Sequence, residues 1–263
     1  MRRVLCEDLL PDRKSLVEIP DGEARHLISV LRLGPGDEFE LLDGKGQCAP
    51  ARLVFRDKRV FGELITPPVI KPHLLSLPIH LKMSILKGDA MEWVVEKAVE
   101  LGVRTLTPME TEFTVVKTHK KGAATFLERW QKIADQALKQ CGRLDRMEIL
   151  PPQTIDTLTA GSESTYWLDE ELAGNAAQGS HFSFDLRASS VGTSSSLLVG
   201  PEGGFSASER SRLLQLTVSG NKGIKRVHLG SLILRAETAA LLGISLLVGE
   251  HYGKREDQVQ ASS

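Results

Sequence analysis

Residues 197–205 read LLVGPEGGF, and this stretch says most about the fold. An apolar run ends at Val199, a Gly-Pro-Glu-Gly-Gly turn follows, and Ser206-Ala-Ser-Glu209 has the pattern of a capping box that opens a helix. In α/β domains, ligands bind in such loops beyond the carboxyl ends of strands. The turn is therefore either a ligand-binding loop or an ordinary tight turn that leaves Glu202 in solvent.

The glycine spacing narrows the ligand class. It lacks the Gly-x-Gly-x-x-Gly of dinucleotide-binding turns and the Gly-Lys-Ser/Thr of a P-loop. If the loop binds a ligand, we expect an adenosyl-type or other small molecule that is not held through phosphates.

A second strand, glycine turn and helix follow in VHLGSLILRAETAALLG, residues 227–243. Arg235 lies near the predicted helix start, where the helix dipole disfavours a cation. An Arg at this position is explained by a ligand or a nearby acid, or it belongs to an ordinary ion pair or a solvated first turn. The apolar stretch 239–248 indicates deep burial or a subunit interface and is too short for a membrane span.

Strands and helices alternate through the rest of this half of the chain, which predicts an α/β domain with a largely parallel sheet. The segment 85–103 contains an amphipathic core helix, which Asp89 caps and Gly102 ends. The other predicted elements are strands at 78–86, 165–168, 197–199 and 224–229, helices at 126–141 and 235–252, and surface loops at 187–196 and from Lys254.

The first seventy residues predict a small β-rich domain. Strands are expected at 36–43, 51–55 and 59–65, the last two joined by a turn at Arg56-Asp57-Lys58. A short helix is expected at 22–31, capped by Asp21. Pro67, Pro68 and Pro72 interrupt regular structure, so we place one domain at 1–70 and a second at 71–263.

Composition excludes several classes of protein. The net charge of −1 gives no bulk attraction to nucleic acid, so any RNA site depends on local basic clusters. Three widely spaced cysteines indicate neither a disulfide framework nor a metal site and fit a reducing cytoplasm. No signal peptide or membrane segment is expected.

The N-terminal part of the chain contains a candidate basic patch, made up of Arg2, Arg3, Arg25, His26 and Arg32. These residues form either a phosphate-binding patch or a solvated basic edge. His26 is equally compatible with a structural role.

Taken together, these segments closely resemble the 16S ribosomal RNA (uracil-N3)-methyltransferases of the SPOUT class. The likeness is carried, in order along the chain, by RHLISVLRLGPGDEFELLDGKG (25–46), LKGDAMEWVVEKAVELGV (86–103), TEFTVVK (111–117), RWQKIADQALKQCGR (129–143), and LVGPEGGF with LGSLILRAETAALLG.

The resemblance implies a fold, a cofactor and partners. The fold would be an N-terminal PUA-like β-barrel followed by an α/β domain with a deep trefoil knot, acting as a cytoplasmic homodimer on 16S rRNA of the 30S subunit. S-adenosylmethionine would be held by Leu198, Val199, Gly200, Pro201, Glu202, Gly203, Gly204, Leu229, Gly230, Ser231, Leu232, Leu234, Ala236 and Thr238. No metal is implied.

The same resemblance assigns further roles. Arg235 and Glu237 match the family's Leu-Arg-x-Glu-Thr positions and are the candidate catalytic residues, with Arg235 holding a uracil oxygen and Glu237 either orienting it or accepting a proton. The candidate RNA contacts are Arg3, Arg25, His26, Arg32, Lys87, Lys117 and Arg143.

The chain departs from the family pattern in three places. Ser231-Leu232 replaces Pro-Arg, Ala236 replaces Thr, and Phe113-Thr114 replaces Arg-Ser. The lost basic residues weaken the expectation about RNA contacts more than the expectation of a methyltransferase. The alternatives are a SPOUT ribose 2′-O-methyltransferase and a non-catalytic RNA-binding homologue.

Overall fold

The computed structural model describes residues 2–7, 15–72, 76–118, 122–159, 164–174, 194–217 and 223–261, which belong to two compact units. Unit 1 comprises Met1–Ser76 with Asp135–Arg146, and unit 2 comprises Leu77–Ala134 with Met147–Ser263. The division therefore differs from the expected one at residue 70, because a later segment returns to unit 1. That segment is held there by backbone and side-chain bonds, such as Gly46 N to Leu144 O at 3.1 Å and Ser76 N to the Asp145 carboxylate at 2.8 Å.

Unit 1 is built on a six-stranded mixed sheet. Its strands are β1 (Arg3–Leu5), β2 (Leu16–Glu18), β3 (Glu38–Leu42), β4 (Gln47–Arg56), β5 (Arg59–Leu64) and β6 (Val69–Ile70). The order is β1-β3-β4-β5-β2, with β6 paired to β4; β1 and β3 are parallel and the other pairs are antiparallel. Buried side chains such as Phe39, Leu41 and Leu53 fill its core.

The three strands predicted from the sequence of this unit are confirmed. Asp57 and Lys58, between β4 and β5, have φ of 47° and 66°, the left-handed geometry of a two-residue hairpin turn. Helix α1 (Asp21–Arg25) continues as a π-helical turn, His26–Val30. The expectation that Asp21 caps it is wrong, because Pro20 is the cap residue and Asp21 is the first helical residue.

Unit 2 contains a six-stranded, wholly parallel sheet in the order β12-β10-β11-β7-β8-β9, which confirms the predicted α/β domain. The strands are β7 (Ile79–Ser84), β8 (Thr105–Met109), β9 (Glu148–Ile149), β10 (Ser164–Leu168), β11 (Ser195–Val199) and β12 (Gly223–Val227). The helices are α2 (Asp89–Glu100), α3 (Ala123–Cys141), α4 (Glu170–Gly174), α5 (Ala207–Gln215) and α6 (Ala236–Ala261). Helix α3 belongs to unit 2 up to Ala134 and to unit 1 from Asp135.

Several details of unit 2 differ from expectation. Gly88, at φ 52°, is the cap residue of α2 in place of Asp89, because the backbone there adopts the left-handed region that favours glycine. Helix α6 runs to Ala261, so the expected loop from Lys254 is helical. The expected 187–196 loop lies largely outside the described residues, and Ser195 and Ser196 belong to β11.

The first part of α6 packs closely on the sheet. A Cβ on Gly243 would lie 2.7 Å from Leu197 of β11, so glycine permits this approach. Ala240, Ile244 and Leu247 are buried, whereas Leu242 is partly exposed, which confirms burial for one face of the apolar stretch. None of the helices in the described ranges is long and apolar enough to span a membrane.

Candidate functional site

Three neighbouring strands of unit 2 end at the same edge of the sheet. Strand β10 lies between β12 and β11, with Leu168 paired to Val227 and Trp167 paired to Leu198. Because the strands are parallel, the residues that follow them lie together at the carboxyl edge. This is where open α/β sheets bind their ligands.

A pocket of about 680 Å³ opens at this edge. Its volume is within the range of about 300–1,000 Å³ found for small-molecule sites. It is lined by Ala90, Leu168, Asp169, Glu170, Val199, Gly200, Pro201, Glu202, Gly203, Gly204, Val227, His228, Leu229, Leu232, Ile233, Leu234, Arg235, Ala236, Glu237 and Ala239. The two glycine-containing turns singled out in the sequence thus face one cavity.

Backbone hydrogen bonding and close packing fix the conformation of the first turn, residues 200–204. Gly204 N donates to Pro201 O at 2.9 Å, and Gly204 has φ of 70°, which disfavours any side chain. A Cβ on Gly200 would lie 3.0 Å from the Phe205 ring. Ser206 and Glu209 form the predicted capping box, which fixes the start of α5 beside the turn.

A side chain on Gly203 would meet the protein itself. The backbone directs a Cβ there to within 3.3 Å of Phe113 Cβ, in the loop after β8. Lys117 Nζ donates to Thr111 O at 2.6 Å and Glu112 N donates to Glu209 at 2.9 Å, so this loop is anchored to its surroundings. Gly203 therefore permits a close approach between two loops.

The carboxylate of Asp169 organises the floor of the pocket. Its side chain has no exposed surface, and it lies 2.6 Å from Arg210 Nη2 and 2.7 Å from Arg226 Nε. Each guanidinium also lies 5.3 Å from the Trp167 ring centroid, within the range of cation–π attraction. Burial opposes the charge on Arg210, but the hydrogen bond and charge of Asp169 outweigh it, so the pKa of Arg210 is raised.

Arg210 also reaches the wall of the pocket. Its Nη1 lies 3.4 Å from Glu170, whose Oε1 lies 2.7 Å from where a Cβ of Gly204 would be. The absence of a side chain at Gly204 therefore leaves room for the Glu170 carboxylate over the turn. Sequence spacing gave no signal for this arrangement, because Asp169 and Arg210 are 41 residues apart.

The second turn presents the candidate catalytic pair. Arg235 is exposed and Glu237 is half-buried at the start of α6, and both line the pocket. Within the described residues no ion pair joins them, so the orienting role expected for Glu237 has no supporting contact. Leu232 and Ile233 are 76% and 80% exposed at the mouth, which is unusual for large aliphatic side chains.

Most of the expected cofactor residues line the pocket, but four do not. Leu198 is fully buried in the core, and Gly230, Ser231 and Thr238 lie outside the lining. Sequence reasoning missed the whole β10 contribution, Leu168 to Glu170, and also missed His228. The signal available in the sequence was the acidic pair Asp169-Glu170, which directly follows the strand predicted at 165–168.

The candidate RNA contacts fall into two groups. Arg25, Arg32 and Lys87 are exposed, and His26 is half-buried. The other three are engaged within their own units: Arg3 with Glu40 and two backbone carbonyls, Arg143 (5% exposed) with Asp145, and Lys117 with Thr111 O. Among the described residues, no cluster of three or more His, Cys, Asp or Glu side chains could hold a metal ion.

Comparison with known families identifies the class of protein that this fold and pocket define. Residues 73–248 match the model of the RNA methyltransferase domain, and residues 19–64 match the RNA methyltransferase PUA domain. The chain therefore belongs to the RNA methyltransferases that carry a PUA domain.

Individual relatives specify the family. The chain is 31% identical to ribosomal RNA small subunit methyltransferase E of Aquifex aeolicus (90% of this chain, 95% of the relative) and 29% identical to that of Bacillus subtilis (90% and 91%). A crystal structure of the Neisseria gonorrhoeae protein of that name, bound to S-adenosyl methionine, is 32% identical with a TM-score of 0.74, covering 94% and 96% of the two chains. This chain belongs to the ribosomal RNA small subunit methyltransferase E family.

Proposed function

We propose that this protein transfers the methyl group of S-adenosylmethionine to N3 of a uridine in 16S rRNA of the small ribosomal subunit. The observation that carries the proposal is the pocket itself, in which the turns after β10, β11 and β12 converge in a family whose Neisseria relative binds this cofactor. The volume, the close glycine turn and the absence of a phosphate-binding pattern all fit an adenosyl ligand.

The chemistry requires positioning and removal of one proton. The sulfonium of the cofactor supplies an activated methyl group, whereas uracil N3 carries a proton at neutral pH and becomes nucleophilic only as that proton leaves. In a base pair N3 is occupied by hydrogen bonding, so the target uridine must be unpaired or turned out of its helix.

Arg235 and Glu237 suit the two remaining tasks. Arg235 is an exposed, permanently charged group at the rim of the pocket, so it can hold O2 or O4 of the uracil, where negative charge develops. Since Glu237 makes no ion pair with Arg235 in the described residues, we assign it proton acceptance, directly or through water, in place of orientation.

Unit 1 supplies part of the RNA surface in this proposal. Arg25 and Arg32 are exposed and lie on the segment that matches the PUA domain. At the pocket mouth, Leu232 presents apolar surface where the family pattern has a cation, and Ile233 beside it is also exposed, so contacts there would be apolar rather than ionic. Arg3, Lys117 and Arg143 are left out because their charged groups are engaged internally.

The proposal includes the assembly and topology that the family resemblance implies. The chain would act in the cytoplasm as a homodimer. The segment between β12 and α6 would form part of a trefoil knot in the backbone. Leu242, Trp93 and Tyr252 are exposed large side chains on α2 and α6 and are the candidate dimer surface. Sedimentation velocity of the purified protein tests the dimer.

The test of the activity is direct. Purified protein is incubated with labelled S-adenosylmethionine and 30S subunits from a strain that lacks the endogenous enzyme, and the nucleosides are separated by liquid chromatography and mass spectrometry. N3-methyluridine is the expected product. A 2′-O-methylated nucleoside would overturn the assignment of the reaction, and no transfer to either subunits or naked rRNA would overturn the assignment of a catalytic role.

A further inference from the structure

One polar atom in the pocket lacks a partner. His228 directly follows β12 and lines the pocket, and its Nε2 is buried without a hydrogen-bond partner among the described residues. A buried polar group without a partner destabilises the folded state by about 1–3 kcal/mol. Native proteins rarely keep such an atom unless something outside the chain pairs with it.

The neighbouring backbone allows two hydrogen-bonding patterns for the His228 ring, since Nδ1 lies 3.3 Å from both N and O of Gly230. In the first, the Gly230 N–H donates to an unprotonated Nδ1, and Nε2 of the neutral imidazole carries the hydrogen. In the second, Nδ1–H donates to Gly230 O, and Nε2 is an acceptor. Backbone N–H groups without a partner are rarer in folded proteins than carbonyls without one, which favours the first pattern. In that pattern Nε2 carries an N–H that needs an acceptor.

We infer that the Nε2–H of His228 donates a hydrogen bond to a ring nitrogen of the cofactor's adenine. This rests on the proposed function, since it assumes that the pocket binds S-adenosylmethionine. The transferred methyl must face RNA, which places the sulfonium near the exposed Arg235. The flat adenine is then left to the apolar end, among Leu168, Val199 and Val227, and His228 follows Val227 directly. Adenine N1, N3 and N7 are acceptors, which matches a donor at Nε2.

Two variants separate the two nitrogens of this ring. His228→Asn keeps an acceptor oxygen at the position of Nδ1 for Gly230 and removes the donor at Nε2. His228→Gln places an amide donor near the position of Nε2 and removes the acceptor at Nδ1. Isothermal calorimetry of the full-length proteins with S-adenosylhomocysteine, which does not react, should show about fivefold to tenfold weaker binding for His228→Asn and near wild-type binding for His228→Gln.

The melting temperature without ligand distinguishes a ligand contact from a structural role. Because His228→Asn removes a buried donor that lacks a partner, the unliganded variant should melt at the wild-type temperature or above it. A variant that loses affinity only because its pocket is disrupted would melt lower, and that result would count against the inference.

Cofactor analogues identify the accepting atom. The 1-deaza, 3-deaza and 7-deaza forms of S-adenosylhomocysteine each replace one ring nitrogen by C–H. One of them should bind wild type about fivefold to tenfold more weakly than the parent yet bind His228→Asn as tightly as the parent does. Equal losses in both proteins for all three analogues, or unchanged affinity of His228→Asn, would overturn the inference and leave the proposed function intact. Wild-type protein that binds neither the parent nor S-adenosylmethionine would remove the proposed function and this inference together.

Discussion

The carboxylate of Asp169 lies 2.6 Å from Nη2 of Arg210, and the Asp169 side chain is fully buried at the floor of the pocket. Arg226 shares the same carboxylate. Replacing Asp169 by Asn would remove the negative charge that neutralises these two arginines. Removing one partner of a buried ion pair destabilises a protein by about 3–5 kcal/mol. We expect Asp169→Asn to lower the free energy of unfolding by about 3 kcal/mol in urea denaturation.

The control for this experiment is a second carboxylate that contacts the same Arg210 guanidinium. Glu171 also lies 2.6 Å from Arg210 Nη2, but its side chain is 61% exposed. Glu171→Gln should therefore change stability by less than about 1 kcal/mol, as surface pairs do. Equal losses in the two variants would show that burial of Asp169 does not determine its contribution.

Unit 1 contains a carboxylate whose ionisation contributes to stability. Glu40 is nearly buried between Arg3, at 3.1 Å, and Lys71, at 3.2 Å. Burial raises the pKa of Glu40, but hydrogen bonds from Arg3 and Lys71 and their charges outweigh it, so the pKa is lowered from its ordinary value of 4.5. The unfolded chain then takes up this proton at higher pH than the folded one. The stabilisation is fully present above 4.5 and is lost as the pH falls through the lowered folded value.

Melting curves between neutral and acid pH test this linkage. Glu40→Gln should melt below wild type at neutral pH, and the gap should narrow as the pH falls below 4.5. Glu38→Gln is the matched control, because Glu38 is on the same strand and pairs with Arg52 in an exposed bridge. The Glu38 variant should follow the wild-type curve throughout. A gap for Glu40→Gln that stays constant with pH would contradict the assignment.

The contact between Gly203 and Phe113 predicts a compensating pair of variants. Gly203→Val would push Phe113 and its loop away from the turn, because even a Cβ would lie 3.3 Å from Phe113 Cβ. We expect Gly203→Val to weaken binding of S-adenosylmethionine by about tenfold, in the range of overpacking costs of about 1–3 kcal/mol. Phe113→Ala should restore part of that loss, as calorimetry on the single and double variants would show. No recovery would mean that the valine obstructs the ligand directly.

Arg235 and Glu237 have separable kinetic signatures. Arg235→Ala should reduce kcat by roughly 10²-fold or more with little change in cofactor affinity, since the contact strengthens mainly in the transition state. Glu237→Gln should be as severe if Glu237 accepts the N3 proton, and its remaining activity should rise with pH as the uracil ionises. Single-turnover methylation of 30S subunits measures both. Full activity of Arg235→Ala would exclude its assigned role, and a mild, pH-independent effect of Glu237→Gln would exclude proton acceptance.

The exposed arginines of unit 1 predict a change in salt dependence. Each lost phosphate contact lowers the slope of log affinity against log salt concentration by about one. Arg25→Ala with Arg32→Ala should therefore weaken 30S binding and flatten the slope by about two, with cofactor affinity unchanged. Arg52→Ala is the control, because Arg52 is also exposed but is paired with Glu38. A double variant with the wild-type slope would place the RNA surface elsewhere.

Short sequence motifs predicted the parts of the fold that depend on residues adjacent in the chain. The Ser206–Glu209 capping box and the turn at Asp57-Lys58 were readable because their signals span four residues or fewer. Strand β8 was missed because Pro108 and two threonines obscure its apolar pattern, although every residue in it is buried.

The two glycine-containing loops of the site were visible in the sequence as turns, and the family resemblance assigned them to the cofactor. The third wall of the pocket, after β10, was not predicted. Its key residue Asp169 gains its partners Arg210 and Arg226 from 41 and 57 residues away, and such distant pairing has no local signature. The direction of a Cβ at Gly203 likewise depends on a backbone angle that spacing does not encode.

The return of residues 135–146 to unit 1 has a consequence for the order of events during synthesis. Protein domains generally fold as units while the chain emerges from the ribosome, the N-terminal one first. Here the first unit lacks the donors and acceptors of Leu144, Asp145 and Arg146 until more than half of the polypeptide has been translated. The N-terminal unit therefore cannot be completed on the translating ribosome before Leu77–Ala134 of unit 2 has been made.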